Sequence, residues 1–241
     1  MKEIHNLEEF ISVIKQYYLM EGCAGIRKIY YRGQSNGKYR LIPSLSHKIE
    51  GYTEDYENYI SYEKDIIERA KLEYPDKFRD NNSIDELALL QHYGFPTRLM
   101  DVTENPLVAL YFACITNQEE NGEVFIFNAG INANIYTSYD ADIMIKEQKI
   151  AFVRAKTCSN RQRAQQGLFM WFPNDKLMGI EKDVKKNPTI SEIIVIPYVY
   201  KEELLYDLKM IGISSKSLFP DNIDICSKEL VGDITKDAYS A

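Results

Sequence analysis

A segment of mixed polarity in the middle of the chain, residues 91–113, constrains the fold most strongly. It reads QHYGFPTRLMDVTENPLVALYFA, so that a run of polar side chains gives way abruptly to an apolar stretch. Asn105 followed by Pro106 predicts the start of a helix, because asparagine caps helix N-termini and proline fits the first helical position. Helix N-termini carry unpaired N–H groups and a partial positive charge, which favour phosphates and other anions. The segment therefore predicts a ligand site at the N-terminus of a buried helix.

The other patterns along the chain predict an α+β fold. Asn6 is expected to cap the first helix, and Ser83 with Glu86 is expected to form a capping box. Apolar spacing and punctuation by Gly and Pro predict helices over residues 7–18, 53–74, 83–92, 106–113 and 201–210, and strands over residues 28–34, 99–102, 123–127, 150–155, 167–172 and 192–197. Helices dominate the first half and strands the second, which favours α+β over a regular βαβ alternation. No repeat or linker is evident, so a single domain over residues 1–241 is expected.

Charge and cysteine usage narrow the class of protein. The net charge of −7 argues against a general nucleic-acid binder or a membrane-surface protein. A local basic patch of Arg154, Lys156, Arg161 and Arg163 keeps a nucleic-acid contact open. The four cysteines are far apart and the three histidines are scattered, so neither a metal site nor a disulfide framework is expected. A cytoplasmic location without membrane contact follows as the expectation, because no apolar run approaches the roughly 18 residues of a membrane span.

Three blocks of sequence resemble the FRG domain family, which is named for an aromatic-Arg-Gly motif. The blocks are YRGQSNGKYRLIPSL at residues 31–45, LALLQHYGFPTRLMDVTENPLVALYFAC at residues 87–114, and RQRAQQGLFMWF at residues 161–172. SLFPD at residues 217–221 resembles the C-terminal signature of the family. The resemblance covers about residues 25–225, so the chain is expected to be a single FRG domain with this core.

The FRG family is in turn similar to the ADP-ribosyltransferase superfamily, whose members cleave the nicotinamide–ribose bond of NAD and transfer ADP-ribose to an acceptor. This resemblance implies a split β-sheet core surrounded by helices, with an N-terminal helical part, and NAD as substrate without a metal. Arg32 matches the arginine of the first strand in one branch of the superfamily. Residues 99–103 resemble its second element, and Gln165 and Gln166 stand where a glutamate-bearing element is expected.

The chemistry expected of such a site follows from these residue types. Arg32 offers a fork of donors for a pyrophosphate, and Thr103 could hydrogen-bond the nicotinamide ribose. An oxocarbenium-like transition state needs nearby negative charge, which neutral glutamines do not supply, so Asp101 or Glu104 is the substitute to consider. The predicted catalytic residues are Arg32, Asp101, Thr103 and Gln166. The predicted NAD contacts are Arg32, Gly33, Gln34, His92, Tyr93, Thr97, Arg98, Asn105 and Gln165.

Several of these residues also have a structural interpretation. Arg32 could pair with a buried carboxylate, Arg98 could form an ion pair with Asp101, and His92 could cap helix carbonyls. Thr103 could help cap the helix, and the glutamines could satisfy backbone groups.

The sequence thus predicts an ADP-ribosyltransferase-like protein that uses NAD, acts on a protein or nucleic-acid acceptor, and serves as a bacterial toxin or anti-phage effector. One alternative is a non-catalytic module that binds a nucleotide or ADP-ribose or senses a phage protein, which the missing glutamate favours. A second alternative is a toxin that acts on nucleic acid.

Overall fold

The fold is organised by one mixed sheet of eight strands within the part of the chain that the computed structural model describes. The described residues are 1–19, 27–49, 56–79, 81–131, 136–137, 146, 149–156, 159–187, 189–222 and 227. The strands are β1 (Lys2–Glu3), β2 (Arg27–Gln34), β3 (Leu99–Thr103), β4 (Gly122–Ile131), β5 (Tyr136–Thr137), β6 (Ala151–Arg154), β7 (Gly167–Trp171) and β8 (Ile190–Ile196). Their order is β1-β8-β4-β2-β3-β7-β6-β5. The outer pairs β1–β8 and β5–β6 are parallel, and the remaining neighbours are antiparallel.

Helices cover both faces of this sheet. They are α1 (Leu7–Leu19), α2 (Ser44–Ile49), α3 (Tyr56–Glu73), α4 (Pro75–Phe78), α5 (Ser83–His92), α6 (Pro106–Cys114), α7 (Asn160–Ala164), α8 (Lys201–Met210) and α9 (Ser215–Leu218). Short 3-10 turns occupy Asn174–Lys176 and Tyr198–Tyr200. The mixed α+β architecture predicted from the sequence is confirmed. None of the described helices is long and apolar enough to cross a membrane.

Local capping signals account for most of the helix boundaries. The Asn6 side chain accepts a hydrogen bond from the Glu9 N–H at 2.9 Å, and Asn105 accepts one from the Leu107 N–H at 2.9 Å, as predicted. The predicted capping box at Ser83 is wrong, because Asn82 is the N-cap of α5 and accepts bonds from the N–H groups of Ile84 and Asp85. Residues 53–55 of the helix predicted over residues 53–74 lie outside the described part.

Helix α6 lies directly on β2 and β4 through small residues. A Cβ atom added to Gly33 would lie 1.9 Å from the Ala109 carbonyl oxygen, and one added to Gly122 would lie 2.3 Å from the Ala113 carbonyl oxygen. Ala109 and Ala113 are four residues apart and therefore share one face of the helix. The backbone of α6 thus contacts the sheet with no side chain between them.

The alternation of β2 places its neighbouring side chains in different cores. Tyr31 packs with α1, α6 and α8, whereas Tyr30 packs on the other face with Tyr59 of α3 and with Leu41 and Leu45. A third cluster lies under α5 and includes Leu99 and Trp171. Strand β2 is therefore interior on both faces, and polar residues within it need an explanation.

Candidate functional site

The sheet is held together at its centre by a single paired position. Tyr31 of β2 pairs with Thr103 of β3, and within the described residues these two strands have no other paired position. On its other side, β3 pairs with β7 along its whole length, and β2 pairs with β4 apart from a register shift between Arg27 and Ile29. The two backbones therefore separate beyond Tyr31, leaving a space between residues 32–34 and residues 99–101 that we call the wedge. It is part of a cleft of about 2470 Å³.

Arg32 extends its side chain across the wedge. Its Nη1 donates to the main-chain carbonyl oxygen of Asp101 at 2.5 Å. The residue as a whole is only partly buried, but its Nε is enclosed and has no hydrogen-bond partner among the described residues. Burial lowers the pKa of the Arg32 guanidinium, while the negative charge of Asp101 opposes that shift. A guanidinium remains protonated in proteins, so this is a partly buried cation with an enclosed Nε and without a carboxylate bonded to it in the described part of the chain.

Asp101 supplies the complementary charge. Its side chain is exposed, lines the cleft, and has no hydrogen bond or ion pair to the residues that the structure describes. Its carbonyl oxygen holds Arg32, so the carboxylate and the guanidinium are brought close without forming an ion pair. A carboxylate without a partner among the described residues, beside a partly buried cation, is an arrangement suited to a ligand that carries both a phosphate and a developing positive charge.

Thr103 and the two glutamines form a bonded unit at one side of the cleft. The Thr103 hydroxyl donates to the Gln165 carbonyl oxygen at 2.7 Å and accepts from the Asn105 N–H at 3.0 Å. Gln165 donates its side-chain amide to the Leu218 carbonyl oxygen at 3.1 Å. Gln166 has a positive φ of 48° and an exposed side chain. Thr103 therefore positions the turn between α7 and β7 and holds the N–H of Asn105, whereas the helix cap itself is Asn105.

The side chains of Thr97, Arg98 and Asn105 all form hydrogen bonds within the fold. Thr97 is fully buried, and its hydroxyl donates to the side chain of Gln91 at 2.5 Å. Arg98 Nε donates to Glu63 Oε2 at 2.6 Å. The alternative in which Arg98 pairs with Asp101 is therefore wrong: a buried carboxylate on α3 holds the guanidinium instead. Asn105 serves as the cap of α6.

The cleft brings together seven of the predicted site residues and leaves out five. Those that line it are Arg32, Gly33, Gln34, His92, Asp101, Thr103 and Gln165; those that do not are Tyr93, Thr97, Arg98, Asn105 and Gln166. His92 ends α5 with an exposed ring that meets the Tyr93 ring edge-on, with centroids 5.2 Å apart. The close approach that Gly33 permits is taken by the backbone of α6.

Two aromatic residues of the cleft wall, Phe112 and Phe219, were not among the predicted site residues. Phe112 meets Phe219 edge-on, with centroids 6.0 Å apart, and Arg161 lies 4.9 Å above the Phe219 ring. The SLFPD block was the signal that could have placed Phe219 here.

Lys201 is fully buried at the start of α8, where its Nζ donates to the carbonyl oxygens of Ser35, Thr116 and Asn117 at 2.7 to 3.1 Å. No sequence pattern distinguishes this lysine from an ordinary surface lysine.

The basic patch is partly neutralised. Arg154 forms an ion pair with Glu104 at 2.6 Å, and Lys156 forms one with Asp85 at 3.4 Å. Arg161 stacks on Phe219, as described above, and Arg163 is exposed.

Among the described residues, no group of three or more His, Cys, Asp and Glu side chains could hold a metal ion.

Comparison with known proteins gives one match. Residues 27–122 match the model of the FRG domain, which supports the resemblance found at residues 31–45 and 87–114. The matched stretch contains β2, β3 and α6, and thus both walls of the wedge. The blocks at residues 161–172 and 217–221 lie outside it. The chain has no match among the curated proteins or among the solved structures.

Proposed function

We propose that this chain is an ADP-ribosyltransferase-like protein that binds NAD in the cleft, with the pyrophosphate on Arg32. The observation that carries the proposal is the partly buried Arg32 guanidinium, which bonds to a carbonyl oxygen and keeps an enclosed Nε unpartnered among the described residues. Partial burial of a cation costs free energy that a bound anion offsets. A pyrophosphate supplies that anion, and arginine presents it with a planar fork of donors.

Asp101 is the proposed catalytic carboxylate. In the transfer step the bond between C1′ of the ribose and the nicotinamide nitrogen breaks, and its electron pair leaves with nicotinamide. An acceptor nucleophile then forms the new bond to C1′ and releases its proton. Positive charge develops on the ribose in between, and a carboxylate stabilises it. Asp101 is exposed to the cleft and has no ion-pair partner in the described part of the chain, whereas Gln165 and Gln166 carry no charge.

A second candidate is a module that binds NAD or ADP-ribose without turnover. Gln165 and Gln166 favour it, because neither side chain carries the negative charge that the transfer step needs. Gln165 is bonded to Leu218, and Gln166 is exposed to solvent. In both versions the biological role as a bacterial toxin or anti-phage effector rests on the resemblance to the FRG family alone.

Removal of the Arg32 guanidinium is expected to weaken NAD binding by about 10- to 100-fold, because a hydrogen bond to a charged group contributes roughly 1.5–3 kcal/mol. NAD titration by calorimetry measures this in Arg32→Ala. Arg32→Lys keeps the charge but loses the fork, so it should fall between Arg32→Ala and the wild type. Arg79→Ala is the matched control, since Arg79 is exposed and pairs locally with Asp76. Wild-type affinity in both Arg32 variants would refute the assigned site.

Asp101→Asn separates turnover from binding. The substitution removes the charge but keeps the main-chain carbonyl that accepts from Arg32, so NAD affinity should stay within a few-fold of the wild type. Nicotinamide release, followed in the same samples, should fall by about 100-fold or more. Glu104→Gln is the control, because Glu104 is an exposed neighbour already paired with Arg154. Loss of release in Glu104→Gln instead would transfer the catalytic role to Glu104. Wild-type binding without any release would establish the second candidate.

A further inference from the structure

Gln34 lines the cleft and holds a buried hydrogen-bond acceptor that is unused among the described residues. The side chain is only 6% exposed and lines the cleft two residues beyond Arg32. Its Nε2 donates to the Arg40 carbonyl oxygen at 3.2 Å, which fixes the orientation of the amide, since a flipped amide would set two oxygens against each other. Its Oε1 is buried and has no partner among the described residues.

Arg32 and Gln34 form a donor and acceptor pair on one strand. Residues two apart in a strand point to the same face and are separated by about 7 Å. The unpartnered atoms are the Arg32 Nε, which donates, and the Gln34 Oε1, which accepts. Both neighbours of Gln34 are fixed: the α6 backbone packs on Gly33, and Lys201 donates to the Ser35 carbonyl oxygen at 2.7 Å. The spacing between the two groups is therefore preorganised.

The chemistry of the pair defines the ligand that fits it. A phosphate oxygen cannot hydrogen-bond to Gln34 Oε1, because both atoms are acceptors. A ribose, by contrast, carries hydroxyl donors next to its 5′-phosphate. Gln34 lies further than Arg32 from the closed end of the wedge at Tyr31 and Thr103. We infer that Gln34 accepts a hydrogen bond from a ribose hydroxyl on the adenosine side of the bound dinucleotide, so that the site selects ribonucleotides over deoxyribonucleotides. This inference rests on the proposed function and adds a specificity-determining residue to it.

The test compares ADP with 2′-deoxy-ADP and 3′-deoxy-ADP by calorimetry. The wild type should bind ADP about 3- to 10-fold more tightly than one of the two deoxy analogues, which is the range that one neutral hydrogen bond provides. Gln34→Leu should bind all three nucleotides equally, at the affinity of the weaker analogue. Gln118→Leu is the matched control, because Gln118 also lines the cleft and, among the described residues, its side chain donates only to the backbone oxygen of Cys114 at 2.8 Å. It should keep the wild-type preference.

The outcomes separate this inference from the proposed function. Equal binding of all three nucleotides by the wild type would overturn the role of Gln34 and leave the proposed NAD site standing. A preference that persists in a folded Gln34→Leu variant would do the same. Failure of the wild type to bind both ADP and NAD would overturn the proposed function and the inference together. The wild-type series needs no substitution, so it decides the question even if Gln34→Leu does not fold.

Discussion

Replacing Gly33 by alanine is expected to lower the free energy of unfolding by about 3 kcal/mol or more, the upper range for overpacking a close contact. The new Cβ would lie 1.9 Å from the Ala109 carbonyl oxygen and 2.7 Å from the Ala113 backbone nitrogen. Both atoms are main chain, so no side chain can rotate away, and α6 must move off the sheet. Chemical denaturation measures the loss. For a domain of this size the melting temperature should fall by roughly 6–12 °C.

Gly167→Ala is the matched control for this prediction. Gly167 also lies in a strand that borders the cleft, but a Cβ there would meet its nearest atoms at 3.5 Å, an ordinary contact. Its stability should stay within about 1 kcal/mol of the wild type. If Gly33→Ala were as stable as Gly167→Ala and only lost NAD affinity, Gly33 would act as the NAD contact predicted from the sequence, and the close contact between α6 and β2 would be refuted.

Elements specified by neighbouring residues were predictable from the sequence. Two adjacent residues, Asn105 and Pro106, define the start of α6. The alternation of residues 28–34 defines a strand. The error at Ser83 has the same local origin, because asparagine and serine both cap helices and stand side by side at residues 82 and 83. Which of the two residues caps the helix depends on where the backbone enters it, and either side chain is able to act as the cap.

Partners distant in the chain were not predictable. The ion-pair partner of Arg98 is 35 residues away on α3, and no local pattern connects the two residues. The wedge depends on where the pairing between β2 and β3 stops, which is a property of the whole sheet. Arg32 and Asp101 were singled out by residue type and resemblance, but their relation through a carbonyl oxygen rather than an ion pair appears only in three dimensions.

Removing the charge of Glu63 is expected to destabilise the fold by about 3–5 kcal/mol, because it leaves the Arg98 guanidinium buried and uncompensated. The side chains of Arg98 and Glu63 are 10% and 7% exposed, and Glu63 Oε1 also accepts from the Arg98 N–H at 3.1 Å. Arg98 directly precedes β3, so the pair anchors the strand that carries Asp101. Denaturation of Glu63→Gln, which keeps the shape of the side chain, measures the effect.

The double variant Glu63→Met with Arg98→Met should recover part of the stability lost in Glu63→Gln, because it removes the unpaired charge as well as the pair. Asp76→Asn is the control for loss of an exposed pair: Asp76 and Arg79 are 85% and 74% exposed, so it should change stability by less than about 1 kcal/mol. The Glu63 effect should also persist at high salt, since screening acts weakly on buried pairs. A loss in Glu63→Gln that is as small as in Asp76→Asn would mean that the pair is hydrated and does not anchor β3.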